Sequence, residues 1–244
     1  KILAEDLFDL FLERYLALRT DGPYRFDAET MAARSLKNLS LAYLLESGRG
    51  QGRAQCFAQL EEANNMTDSL AALSSLAQYA WPERDHYLDR FYAQWQHDPQ
   101  VVDKWFSIQA GARLPDTLER VRQLLEHPAF RLTNPNNVRA VIGRFCLGNQ
   151  VRFHAGSGAG YRFLTEQVLS LDKINPQIAA RLVSALSRWK RHDANRQALM
   201  QTELNRILSG GMGQFIHKGF NCEHINGYPT DRQNPTGMGR FTIT

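Results

Sequence analysis

Apolar residues recur at three- and four-residue spacing along almost the whole chain, and alternation with period two is nearly absent. The pattern predicts helices. Leu3, Leu7, Leu10, Phe11 and Leu18 form a stripe over a first helix from about Ile2 to Arg19, which Asp21-Gly22-Pro23 ends. Asp27 caps a second helix carrying Leu36, Leu39, Tyr43 and Leu44 and ending at Gly48, and a third covers about Gly52 to Glu62. Thr67 is the expected N-cap of a run holding Leu70, Leu73 and Leu76, which must stop before Pro82 because a residue preceding proline is pushed out of helical geometry.

Further helices are expected from about Glu83 to His97, from Pro99 to Ala110 and from Pro115 to near His127. Two later ones share an opening device. Asn134-Pro135 and Asn175-Pro176 each place an asparagine at the N-cap and a proline at the first helical position. The first leads to about Gly148 and carries Arg139. The second leads to about Arg188 and sets Gln177 and Arg181 four residues apart on one face. A helix from Tyr161 to Leu171 and one from about Ala194 to Leu208 complete roughly eleven. Short connections between them predict an all-α fold, a superhelical, α-solenoid-like array of antiparallel helix pairs, without a readable repeat consensus.

Composition narrows the function classes. The 244 residues are 43% hydrophobic, enough for a large core, and 29 basic against 25 acidic side chains leave a net charge of +4. Basic residues read as interleaved with acidic ones, so neither nucleic acid nor membrane is an expected partner. Cys56, Cys146 and Cys222 have no CxxC pairing, and this points to a reducing, cytoplasmic location. No apolar run approaches the roughly 18 residues of a membrane span. The start at Lys1, already in helical pattern, reads as a segment of a longer polypeptide.

Five stretches carry a family resemblance: Glu62-Ala63-Asn64-Asn65-Met66-Thr67-Asp68-Ser69-Leu70, Val102-Asp103-Lys104-Trp105-Phe106, Asn134-Pro135-Asn136, Phe153-His154-Ala155 and Asn175-Pro176-Gln177. In this order they resemble the C-terminal helical domain of bacterial aminopeptidase N, a zinc metallopeptidase family, over about residues 1–208. The resemblance implies a parent enzyme that removes N-terminal residues from peptides. Its helical domain closes over the substrate chamber, and Arg139, Gln177 and Arg181 are implied to face that chamber near the far end of a bound peptide. Arg188, one heptad past Arg181, extends that face. The implied partners are the catalytic domains of the same polypeptide and peptide substrates.

Catalysis itself is not expected of this segment. A zincin needs two histidines one helical turn apart with a glutamate general base, His-Glu-x-x-His, and none of the seven histidines here is followed by glutamate. The Gly-Ala-Met-Glu-Asn stretch of the family is also missing. Catalytic and metal residues are therefore expected to be none, with zinc belonging to the parent's catalytic domain. A free-standing helical scaffold for a protein or peptide is the alternative. Gly156-Ser157-Gly158-Ala159-Gly160 follows a helix and not a strand, so it reads as a flexible link and not a phosphate loop. Residues 209–244, rich in glycine, match nothing in the family and are expected to be irregular; their His217, Cys222 and His224 lack metal-site spacing.

Overall fold

The computed structural model describes residues 1–19 and 22–210. The expectation for residues 209–244, with the histidines and cysteine of that stretch, lies almost wholly outside the described residues. Among those described every element is helical. Two units emerge, Lys1–His97 and a second beginning at Asp98.

The first unit contains α1 (Ile2–Asp6), α2 (Phe8–Ala17), α3 (Ala28–Glu46), α4 (Gly50–Glu62), α5 (Met66–Leu76) and α6 (Arg84–Trp95). Consecutive helices pack on one another from α2 to α6, and α3 also touches α5. The expected first helix is broken at Leu7, whose φ of −104° and ψ of 20° leave helical geometry; Ala4 and Phe8 on either side are both buried. Asp27 caps α3 as expected, its Oδ1 accepting from the Thr30 amide at 2.9 Å. The cap of α5 is Asn65 and not Thr67. Asn65 Oδ1 accepts from the Asp68 amide at 3.0 Å, while its Nδ2 donates to Asp68 Oδ2 at 2.9 Å, and this reciprocal pair starts the helix two residues early.

The second unit contains α7 (Pro99–Ala110), α8 (Thr117–Leu125), α9 (Pro135–Val138), a π-helix (Arg139–Gly148), α10 (Gln150–Phe153), α11 (Ala159–Asp172), α12 (Pro176–Val183) and α13 (Ala194–Ser209). The chain joins α12 to α13 through two 3₁₀ turns, Ser184–Leu186 and Trp189–Arg191. α7 packs on α8 and the π-helix, and α11 packs on α12 and α13. Its core is aromatic. Phe145 meets Phe153 and Phe163 edge to face, at centroid distances of 6.2 and 5.6 Å, with all three rings fully buried. Such pairs add about 0.5–1.5 kcal/mol each beyond the burial of their area.

The Gly-rich link is part of this packing. Gly158 has φ of 67° and directly precedes α11, and a Cβ on Gly160 would lie 2.4 Å from the Phe153 carbonyl oxygen. The expected flexible connection is thus a close approach of α11 to α10 that only glycine permits.

Candidate functional site

The Asn134 and Asn175 caps form as their sequences dictate. Asn134 Oδ1 accepts from the Asn136 amide at 2.9 Å, and Asn175 Oδ1 from the Ile178 amide at 3.2 Å, with proline first in each helix. Burial then fixes which way each helix faces. Asn137, Val138, Ala140 and Val141 are buried, so Arg139 stands exposed between them. Asn137 anchors the turn from inside, donating to Asp103 Oδ1 at 2.7 Å and accepting from the Arg131 amide at 2.9 Å. On α12, Ala179, Leu182 and Val183 face the core, and Gln177 and Arg181 share the exposed side.

Arg139 Nη1 donates to Asn136 Oδ1 at 2.9 Å. Gln177 and Arg181 have no side-chain hydrogen bond or ion pair among the described residues, so their donors face solvent. The two supporting helices touch. Arg188 is also exposed, but α12 ends at Val183 and a 3₁₀ turn follows, so the expected heptad relation to Arg181 is not carried by one continuous helix. Such guanidinium groups suit carbonyl and carboxylate oxygens, which they bind in a planar, bidentate fashion.

Beyond Asn134, the expected α-helix is a π-helix from Arg139 to Gly148. Nothing in the apolar spacing distinguishes the two, since the inward residues remain Val141, Ile142, Phe145 and Cys146. In this geometry Arg144, five residues past Arg139, is the next i→i+5 neighbour on the surface. Its guanidinium lies against Gly111 and Gly148, where an added Cβ would meet it at 2.6 and 3.0 Å.

Charge is divided unevenly along the chain. Residues 1–97 hold 10 Lys and Arg against 14 Asp and Glu, whereas residues 131–191 hold 10 against 2. The whole-chain balance hides this, and the expectation of interleaved charge fails for the second stretch. The signal was available by counting over halves of the chain.

Other reactive groups are built into the structure. Cys56 and Cys146 are buried free thiols; burial pushes Cys56 up to about 12 and raises Cys146 as well, which keeps both protonated and poorly nucleophilic. His154 Nδ1 lies 3.0 Å from the Tyr161 hydroxyl, and its ring stacks on His192 at 4.3 Å. Burial, then His192 and Arg196, lower His154 to about 4. It is a neutral packing residue. Among the described residues no three of His, Cys, Asp and Glu gather as a metal site, so they offer zinc no ligand set.

Around the expected Thr67 cap the sequence suggests only a loop and a helix start. The structure adds a buried polar network there. Lys37 Nζ donates to Asp68 Oδ2 at 2.7 Å, Asn38 to Asp68 Oδ1 at 2.8 Å, and Gln59 to Asn38 at 2.7 Å, while Tyr15 donates to Gln59 at 3.1 Å. The network borders a cavity of about 400 Å³ that Arg19, Glu62 and Asn64 help to line.

A family model described as "Domain of unknown function (DUF3458_C) ARM repeats" matches residues 1–212. The chain belongs to this ARM-repeat family. The description agrees with an all-α, solenoid-like array of helix pairs. Among individual proteins, the chain is 42% identical to aminopeptidase N of Haemophilus influenzae over 205 residues, covering 84% of this chain and 23% of that protein. It is 39% identical to aminopeptidase N of Escherichia coli over 223 residues, 89% of this chain and 26% of that one. A crystal structure of Legionella pneumophila aminopeptidase A in complex with aspartic acid superposes with a TM-score of 0.79 at 36% identity, over 86% of this chain and 25% of that chain. The ARM-repeat chain therefore spans about a quarter of the length of these relatives, and it corresponds to the C-terminal helical domain of an aminopeptidase. No helix among its described residues is long and apolar enough to cross a membrane.

Proposed function

We propose that this chain is the non-catalytic part of a zinc aminopeptidase, closing over the chamber in which N-terminal residues are removed from peptides and lining it with Arg139, Gln177 and Arg181. One observation carries the reading. Ten of the thirteen exposed large apolar side chains among the described residues fall between Ile2 and Leu39, with Ile2 at 76% and Phe26 at 79% exposure. Scattered apolar side chains are ordinary on a surface, but such a concentration suits a face covered by another protein domain. Catalytic domains of the same polypeptide are the proposed cover, in the cytoplasm.

In this reading the chain supplies recognition and access. The exposed guanidinium groups hold the carbonyls or terminal carboxylate of a peptide, and confinement strengthens that attraction by excluding water. Bond cleavage and zinc belong to the catalytic domains. The neighbouring aminopeptidase A, solved with aspartic acid, supports a role in handling amino acids and peptides for the longer polypeptide.

Mixing this chain with separately produced catalytic domains tests the proposal. Association in sedimentation and increased hydrolysis of an alanyl chromogenic substrate are expected. A chain that stays monomeric beside the catalytic domains and leaves hydrolysis unchanged overturns it, leaving the free-standing scaffold as the better account.

A further inference from the structure

Within the second unit, residues 131–191 carry cations that no carboxylate pairs among the described residues. In the first unit nine of the ten Lys and Arg side chains lie within ion-pair distance of a carboxylate, from Lys1–Glu5 to Arg90–Glu61. Between residues 131 and 191 none of the ten does, among the described residues. Neither acidic residue of that stretch pairs with these cations among the described residues: Glu166 pairs with Arg122, outside the stretch, and the buried Asp172 Oδ1 has no hydrogen-bond partner there.

Those cations are held by other means. Arg139 is bonded to Asn136 and Arg162 Nη1 to the Ser157 carbonyl, while Arg144 lies against two glycines. Arg181 and Arg188 are exposed with no side-chain partner among the described residues, and Lys190 sits 5.6 Å over the Trp189 ring. Neutral partners fix position without cancelling charge. An exposed surface of this kind keeps a positive potential that a paired surface lacks, and within a confined chamber low-dielectric walls focus it.

We propose that this arginine-rich surface selects acidic peptides, those carrying carboxylates beyond the residue being removed, and disfavours basic ones. The inference rests on the reading that the chain lines a peptide chamber, and it adds the substrate class. The residues proposed to carry it are the exposed Arg139 and Arg144 of the π-helix and Arg181 and Arg188 of α12, which touches the π-helix, and the turn after it. A peptide with several glutamates meets several guanidinium groups at once, and its attraction is long-ranged at low ionic strength and screened at high.

The test measures binding of fluorescein-labelled Ala-Glu-Glu-Glu-Glu and Ala-Gln-Gln-Gln-Gln to the full 244-residue chain. At about 20 mM salt the glutamate peptide should bind on the order of tenfold more tightly, and at about 300 mM the ratio should fall below about threefold. The combined variant Arg139→Gln, Arg144→Gln, Arg181→Gln, Arg188→Gln alters only exposed side chains and should remove the difference at unchanged helicity. Equal binding of the two peptides, or a preference that survives the four substitutions, overturns the proposal. So does a single-stranded RNA of matched charge that binds more tightly than the glutamate peptide, since that would make nucleic acid the fitting partner. The readout needs no catalytic domain, so its failure is distinguishable from a failure to associate with one.

Discussion

Lys37 and Asp68 form a 2.7 Å ion pair in which both side chains are more than nine-tenths buried. Burial raises the Asp68 carboxyl, but hydrogen bonds from Lys37, Asn65 and Asn38 outweigh it and hold the group below the usual carboxylate range. Lys37→Met should therefore cost about 3–5 kcal/mol, because it leaves a buried carboxylate without its cation. The double variant Lys37→Met, Asp68→Leu should recover a large part of that loss. Chemical denaturation of the three proteins checks both statements.

The sign of the pH effect at Asp68 follows from its lowered value. The unfolded group titrates near 3.9, so its contribution is fully present above that and is lost as pH falls through the still lower folded value. Against wild type, Asp68→Asn should flatten the acid limb of a stability profile below about pH 4.

His154 acts in a different window. Its folded value of about 4 lies below the unfolded value near 6.5, so the unfolded chain binds the proton more tightly and stability rises with pH between the two. Lowering pH from 7 to 4 should cost about 1–2 kcal/mol at this site, allowing for screening at its solvent-facing edge. His154→Gln should remove that slope between pH 5 and 7 in thermal melts.

Gly160→Ala and Gly156→Ala make a matched pair. A Cβ on Gly160 meets backbone of Phe153 at 2.4 Å, whereas one on Gly156 meets nothing within 4 Å. The first should destabilise by about 1–3 kcal/mol through forced separation of α10 and α11, and the second should change stability by less than about 1 kcal/mol. Equal melting temperatures for the two would show that the close approach is dispensable.

Gln177→Ala and Arg181→Ala remove exposed side chains that have no side-chain hydrogen bond or ion pair among the described residues, and they should leave stability within about 0.5 kcal/mol. In the assembled aminopeptidase they should raise KM for tri- and tetrapeptides, while hydrolysis of an alanyl chromogenic substrate too short to reach them stays unchanged.

How much of this was legible depended on the range of the interaction concerned. Asp27, Asn134 and Asn175 are caps that reach amides two or three residues away, and their chemistry is written in adjacent letters. Thr67 misled because Asn65 and Asp68 bond each other reciprocally, and a competing cap two residues upstream offers the same local chemistry. The Lys37–Asp68 network was out of reach, since it joins residues 31 apart that meet only after α3 and α5 pack. Exposure of Gln177 and Arg181 followed from helical periodicity. That Arg181 finds no carboxylate partner among the described residues is a property of the folded surface.

The π-helix between Val138 and Asn149 gives the chain slack in its own length. Reverting it to α pitch would shorten the loop of each hydrogen bond by one residue, so a deletion at Gly143, which faces no tight contact, could be absorbed inside a buried element. The two arginines would survive the change. With Gly143 removed, Arg139 and Arg144 would stand four residues apart at α pitch, which keeps them on one face. Natural variants one residue shorter here are expected to fold alike and to accept the same peptides.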